Sequence, residues 1–322
     1  MWGKLPREMR KIKSIGTGIA TGKIILMGEH SVVYGEPAIA FPFAGAKVQV
    51  EITANETSTL ISSYYHGLLE EVPSHLKNVK DLLHRLQQDF HTGPFATSIV
   101  STIPSERGMG SSAAVAVALT RAFFDWIKKD FTKEELMTYV NFSEKIAHGN
   151  PSGIDAAAAS GTDAIYFIKG HPITSFPLTI DGYLLVADTG IKGQTREAVK
   201  SVAHLFETSK QLASQAIQRL GIETKKAKEA IIANQLEVLG ESMNNAHQAL
   251  QQLGVSNQQL DQLVSLALAH GAYGAKLTGG GRGGCMIALT KTKEQAENIS
   301  RILLSDGARA AWIQGLGVYE HV

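Results

Sequence analysis

In this chain of 322 residues, the segment Pro104-Ser105-Glu106-Arg107-Gly108-Met109-Gly110-Ser111-Ser112 runs straight into Ala113–Ala122, which is largely small and apolar. Alanine is the best helix former, so this run reads as a helix. The glycine turn would deliver its backbone N–H groups at the helix N-terminus. Free donors and the positive end of the helix dipole both favour an anion there. A serine hydroxyl beside them can reach a metal ion that rides on a nucleotide phosphate. Taken alone, these residues read equally well as a serine-capped loop.

A second segment, Gly22-Lys23-Ile24-Ile25-Leu26-Met27-Gly28-Glu29-His30-Ser31-Val32-Val33-Tyr34-Gly35, puts a lysine on a strand-like run and a Glu-His pair at its end. It is not a Walker A loop. That loop needs Ser or Thr after its lysine and four residues between its glycines, whereas Ile24 follows Lys23 here. Gly16-Thr17-Gly18 lacks the third glycine of a dinucleotide loop. Strand ends hold reactive groups rigidly. A surface lysine and a hydrogen-bonded turn histidine are the plain alternative. In Lys276-Leu277-Thr278-Gly279-Gly280-Gly281-Arg282-Gly283-Gly284-Cys285, five of ten residues are glycine. A hairpin needs only one or two, so backbone in close approach to a ligand or another loop is expected. Between these lies Ser143-Glu144-Lys145-Ile146-Ala147-His148-Gly149-Asn150-Pro151-Ser152-Gly153-Ile154-Asp155. Glu144 falls late on a helix, and Asp155 opens an alanine run after a Pro-Ser-Gly turn. By themselves they are a solvated acid and a carboxylate at a helix N-terminus.

The elements that must position these groups follow from periodicity. Strands are expected at Ile12–Ile19, Lys23–Gly28, Ala38–Phe41, Lys47–Thr53, Thr97–Ile103 and Asp163–Ile168. Helices are expected at Leu76–Phe90, Ser112–Lys128 and Thr132–His148, the last with a Thr132/Glu135 capping box. After a break at His171–Asp181 come a strand at Gly182–Ala187 and several helices between Thr195 and His270. Strands at Ala275–Leu277 and Met286–Leu289, a helix from Lys293 and a strand at Ala310–Gln314 follow. The chain exceeds one ordinary core, so two domains are expected, 1–178 and 179–322.

Lys plus Arg total 31 against 30 Asp plus Glu, a net charge of +1, so bulk electrostatics give no reason to expect a nucleic-acid partner. The short basic tail (Lys4, Arg7, Arg10, Lys11, Lys13) reads as solvated. The one cysteine, Cys285, permits neither an intrachain disulfide nor a cysteine metal cluster. No run of 18 apolar residues marks a membrane span, and the start lacks the apolar region of a signal peptide. A cytoplasmic protein is the expectation.

The three motifs, in this order and at these spacings, resemble the superfamily of galactokinase, homoserine kinase, mevalonate kinase and phosphomevalonate kinase (GHMP kinases). The resemblance runs from about Gly16 to the last strand. Within it, Gly28–Gly35, Pro151-Ser152-Gly153-Ile154-Asp155 and Asp188-Thr189-Gly190 with Thr195 are most similar to the branch that phosphorylates mevalonate. Galactokinases continue differently after Gly-Glu-His, and phosphomevalonate kinases usually carry Tyr at the place of His30. The chain departs from the pattern at Met109, commonly Leu, and at Gly280 and Arg282, usually Ala and Gly.

The resemblance implies an α/β (α+β) two-lobe GHMP kinase fold. Its N-terminal lobe would hold a left-handed β-α-β crossover, and its C-terminal lobe would be ferredoxin-like. It implies transfer of the ATP γ-phosphoryl to the 5-hydroxyl of mevalonate, in isoprenoid biosynthesis. Gly108, Met109, Gly110, Ser111 and Ser112 would bind ATP. Ser112 and Glu144 would hold Mg²⁺. Asp155 and Lys23 would be catalytic, with Asp155 either a general base or an orienting group. Glu29, His30 and Thr195 would hold mevalonate, His30 and Thr195 as donors and Glu29 toward a hydroxyl. Gly279, Gly280, Gly281 and Gly283 would support the phosphate loop. No nucleic-acid or membrane partner is implied, and the enzyme would be a monomer or homodimer. Another small-molecule kinase of the superfamily, or an inactive nucleotide-binding regulator, is the alternative.

Overall fold

The computed structural model describes residues 12–149 and 151–317. The tail residues Lys4, Arg7, Arg10 and Lys11, and Asn150 of the third segment, lie outside them. In chain order the elements begin β1 (Gly16–Met27), β2 (Ala38–Ala54), β3 (Thr59–Ser62), β4 (Tyr65–Leu68), α1 (Lys77–Phe90), β5 (Phe95–Ser101), α2 (Ser111–Trp126), α3 (Lys133–His148), α4 (Ile154–Ser160), β6 (Ala164–Phe167) and β7 (Thr174–Phe176). They continue with β8 (Tyr183–Asp188), α5 (Thr195–Thr208), α6 (Lys210–Ile232), α7 (Leu236–Gln252), α8 (Gln258–Ala269), β9 (Gly274–Thr278), β10 (Cys285–Thr290), α9 (Lys293–Ser305) and β11 (Ala310–Gly315). Among the described residues, no helix is long and apolar enough to cross a membrane.

Two compact units interleave along the chain. The first comprises residues up to Ala20, Lys47–Thr102 and Ser112–Ala156; the second comprises Thr21–Ala46, Ile103–Ser111 and the chain from Ala157 onward. In the first unit, β2 pairs antiparallel with β5, β5 pairs parallel with β3, and β3 pairs antiparallel with β4. Val48, Val50 and Ile52 turn inward while Lys47, Gln49 and Glu51 stay exposed, the alternation of a sheet with one dry face. The core beneath is aromatic: Phe90, Phe95, Phe123, Phe124, Trp126 and Tyr139 form edge-on and tilted pairs. The Thr132/Glu135 capping box forms as expected and starts α3.

In the second unit, β11, β8, β10 and β9 lie side by side in that order, and every pairing is antiparallel. Numbered along the chain this is 4-1-3-2, the order of a ferredoxin-like β-α-β-β-α-β unit. It bears out the expectation for the C-terminal half. Every residue of β9 and β10 is buried, as expected of strands with both faces covered.

Two pairs of short strands expected from the sequence are single long strands. Ile12–Ile19 and Lys23–Gly28 merge into β1, and Ala38–Phe41 and Lys47–Thr53 merge into β2 across Pro42. Gly16 and Gly18, inside β1, are there for packing. A Cβ on Gly16 would lie 2.3 Å from Trp126 Cβ, and one on Gly18 would lie 2.1 Å from Ala118 O. β1 thus presses against alanine-rich α2 with no side chain between. The β3–β4 hairpin and β7 carried no usable sequence signal.

Gly18→Ala should therefore overpack the β1–α2 contact and cost about 1–3 kcal/mol. Thermal unfolding measures it, and an unchanged midpoint would refute this account of the glycine.

Candidate active site

In the second unit, β1 carries Lys23, which is 2 % exposed. Its Nζ donates to Gly108 O at 2.9 Å, and its backbone N–H donates to Met109 O at 3.0 Å. Gly108 and Gly110 take φ of 78° and 70°, so the loop can curl against the lysine stem. A Cβ on Gly110 would meet Lys23 Cγ at 2.7 Å. The loop then enters Ser111, the first residue of α2. Arg107 ties the loop down from the other side. Its Nε donates to Asp188 Oδ1 at 2.9 Å and its Nη2 to Gly190 O at 2.9 Å. The glycine loop after β9 packs backbone to backbone on the phosphate loop, since a Cβ on Gly279 would lie 3.0 Å from Gly108 Cα. The close approach to another loop expected from the glycine excess is this contact.

Glu29 and His30 lie at the end of β1, beside β9. Lys276 is fully buried and forms a salt bridge with Glu29, and its Nζ also donates to Leu277 O at 2.7 Å. Glu29 Oε2 is buried without a hydrogen-bond partner. Burial pushes the Glu29 carboxyl up and the Lys276 ammonium down, and their mutual attraction opposes both shifts. His30 adopts φ 60°, and its Nε2 lies 2.9 Å from Gly280 O. A carbonyl only accepts, so Nε2 carries the proton and Nδ1 is bare. Burial lowers His30 to about 4, so the ring is neutral at neutral pH. His30 thus has its one N–H engaged and only an acceptor left, where the sequence reading expected a donor. Thr278 Oγ1 donates to Ile25 O at 2.8 Å and closes β9 onto β1. Thr195, exposed at the start of α5, faces Gly280.

In the first unit, Ser112 Oγ donates to Glu144 Oε1 at 2.6 Å. Glu144 is 3 % exposed and also lies 3.8 Å from His148 Nε2. Asn78 Nδ2 donates to Ser143 Oγ at 3.3 Å and reaches Ser112 Oγ at 3.5 Å. Two hard oxygen donors this close suit one small hard cation that draws its other ligands from phosphate and water. Among the described residues, no group of three or more His, Cys, Asp and Glu forms a closed metal site. Asp155 stands half-buried in the first turn of α4.

Sequence reasoning missed the roles of Lys276, Arg107 and Asn78. Lys276 had a signal: a lysine in mid-strand between Ala275 and Leu277 needs a buried partner. Arg107 and Asp188 sit in quoted segments, but nothing local pairs residues 81 positions apart.

Comparison with known proteins agrees with this architecture. The model of the GHMP kinases N-terminal domain matches residues 76–162, and that of the GHMP kinases C-terminal domain matches 227–309. With a serine-rich glycine loop opening a helix and a ferredoxin-like unit behind it, the chain is a kinase of the GHMP class. It is 36 % identical over 306 residues to the mevalonate kinase of Pyrococcus abyssi, covering 86 % of this chain and 89 % of that one. It is 38 % identical to the crystal structure of the mevalonate kinase of Staphylococcus aureus MRSA252, at a TM-score of 0.75 over 95 % of this chain and 100 % of that one. The L. major mevalonate kinase in complex with R-mevalonate superposes at a TM-score of 0.81 and 27 % identity, over 97 % and 100 % of the two chains. Within the GHMP kinases, the chain belongs to the mevalonate kinase family.

Lys276→Met should leave Glu29 buried without its counter-charge, a loss of about 3–5 kcal/mol. Adding Glu29→Gln should restore most of it. Urea unfolding checks both, and a single variant as stable as the parent would show that the pair bears no load. His30 titrates near 4 in the folded chain, against 6.5 for an unperturbed ring. Between those values the unfolded chain binds a proton that the folded one refuses. The stability tied to neutral His30 is thus full above 6.5 and is lost as pH falls toward 4. NMR of the His30 ring should show no titration between about pH 8 and 5.5; a midpoint near the unperturbed value would overturn the assignment.

Proposed function

We infer that the chain transfers the γ-phosphoryl group of ATP to the 5-hydroxyl of mevalonate, giving 5-phosphomevalonate and ADP in the mevalonate pathway. The observation that carries this is the similarity to the mevalonate kinase of Pyrococcus abyssi over 86 % of the chain, at 36 % identity. The reading takes residues 1–178 as the N-terminal domain and 179–322 as the C-terminal one. In its favour, the two family segments, 76–162 and 227–309, fall on either side of that boundary. It takes Mg²⁺ as the metal and the cytoplasm as the compartment.

Phosphoryl transfer asks a protein for alignment, charge neutralisation and handling of one proton. Gly108, Met109, Gly110, Ser111 and Ser112 are assigned to the phosphates, through N–H groups at the start of α2. Ser112 and Glu144 are assigned to Mg²⁺. When bound, the ion neutralises charge on the phosphate oxygens. The 5-hydroxyl oxygen bonds to the γ-phosphorus as the bond to the ADP oxygen breaks. Asp155 takes the hydroxyl proton, or holds that hydroxyl in line while the proton leaves late. Lys23 stabilises the developing negative charge. His30 Nδ1 and Glu29 Oε2 are assigned as acceptors for substrate hydroxyls, and the Thr195 hydroxyl as a donor to the carboxylate. Gly279, Gly280, Gly281 and Gly283 back the phosphate loop.

A coupled ADP-release assay with ATP, Mg²⁺ and mevalonate, run beside phosphomevalonate, galactose and homoserine, tests the reading. Turnover of mevalonate alone is expected. Turnover of another alcohol instead would overturn the substrate assignment, and ATP binding without turnover would overturn the activity. Asp155→Asn should lower kcat by about 10²–10⁴ if Asp155 acts as a base.

A further inference from the structure

The glycine loop holds one residue that is costly for its backbone. Arg282 sits at φ 56°, in the left-handed region that favours glycine. Its side chain is half-buried and committed. Nη2 donates to Ser201 Oγ on α5 at 2.6 Å, and Nε donates to Gly254 O at 3.3 Å. Its backbone N–H donates to Val255 O at 2.8 Å. The guanidinium therefore ties the glycine loop both to α5 and to the turn after α7.

The same helix begins at Thr195, and Thr195 leans on Gly280 so closely that a Cβ there would lie 2.0 Å from Thr195 Oγ1 and 2.8 Å from Thr195 Cα. No rotation of the threonine relieves a clash with its Cα, so a side chain at position 280 requires α5 itself to move. The segment leading into α5 is held to the same loop, with Gln194 N–H donating to Gly281 O at 3.2 Å. Farther along, Phe206 stacks on Tyr34 with ring centroids 4.6 Å apart. Gly280 and Arg282, two residues apart in the loop, thus both act on one helix.

We propose that Arg282 is a positioning residue for the substrate. Through Ser201 it clamps α5, and so holds the Thr195 hydroxyl against Gly280 where mevalonate is bound. The inference rests on the reading that Thr195 contacts mevalonate. It makes the residues at 280 and 282 a coupled pair: glycine at 280 is required only while the clamp at 282 holds α5 close.

Steady-state kinetics of the full chain test this. Arg282→Gly and Ser201→Ala should each raise KM for mevalonate about tenfold, the scale of one hydrogen bond to a charged group. KM for ATP should stay within about twofold, on the ground that the guanidinium's own partners, Ser201 Oγ and Gly254 O, lie off the phosphate loop. The two changes together should be no worse than either alone. Gly280→Ala should raise KM for mevalonate further than these, and adding Arg282→Gly should recover part of that loss, because the released helix can back away. A rise in both KM values alike, additive losses, or no recovery in the double variant would overturn the proposal. Amide hydrogen exchange across Thr195–Ser201 reads the clamp without substrate. Arg282→Gly and Ser201→Ala should both speed it, and unchanged exchange would overturn the clamp. Faster exchange in a chain whose parent does not turn over mevalonate would instead refute the substrate reading and leave the clamp standing.

Discussion

Lys276 and Glu29 place opposite charges where water does not reach, and the end of β1 and the start of the glycine loop are arranged around that fact. Each charge alone would cost several kcal/mol to bury. Together they are tolerable only if β9 and the end of β1 keep their present placement. The pair therefore acts as a geometric lock. Next to Glu29, His30 takes a positive φ and its Nε2–H meets Gly280 O. Thr278, on the same strand as Lys276, closes back on Ile25 O. One carboxylate oxygen is left without a partner. A buried acceptor in that condition gains when a hydroxyl reaches it, and it penalises any ligand that lacks one.

The phosphate side is built on a different principle. Its groups are held mostly by backbone rather than by charge. The loop from Pro104 curls over Lys23, is fastened by Arg107 to Asp188 and Gly190 O, and is backed by Gly279 at a distance that admits no side chain. A loop held this way keeps its backbone fixed without a ligand. Arg107 shows why residue type alone misleads. An arginine inside a phosphate loop invites reading as a phosphate ligand, yet its donors are engaged by a carboxylate and main-chain carbonyls.

Much of the candidate site was legible because its motifs are local. The Gly-Ser loop and the alanine run that follows declare a helix N-terminus within a dozen residues. Helices α1, α2 and α3, with the capping box of the last, follow from short-range periodicity and one side-chain bond. Strand boundaries were less legible. Gly22 and Pro42 look like punctuation, but β1 and β2 run through them, while Gly16 and Gly18 within β1 make room for α2. The β3–β4 hairpin and β7 are too short to set up a period.

By itself the sequence determined which residues could meet a phosphate, a cation and a hydroxyl, since residue type and close spacing are one-dimensional properties. It also determined the family, through motifs in a fixed order. Only the tertiary structure decided the partners: Lys276 with Glu29, Arg107 with Asp188, Arg282 with Ser201, His30 with Gly280 O. It alone made His30 neutral with a bare Nδ1, because burial and one carbonyl set that state and neither is written near His30 in the chain. The reason is the same in each case. These contacts join residues tens to hundreds of positions apart, and the energy that selects them comes from desolvation and from close approach of backbones, which exist only once the strands are paired.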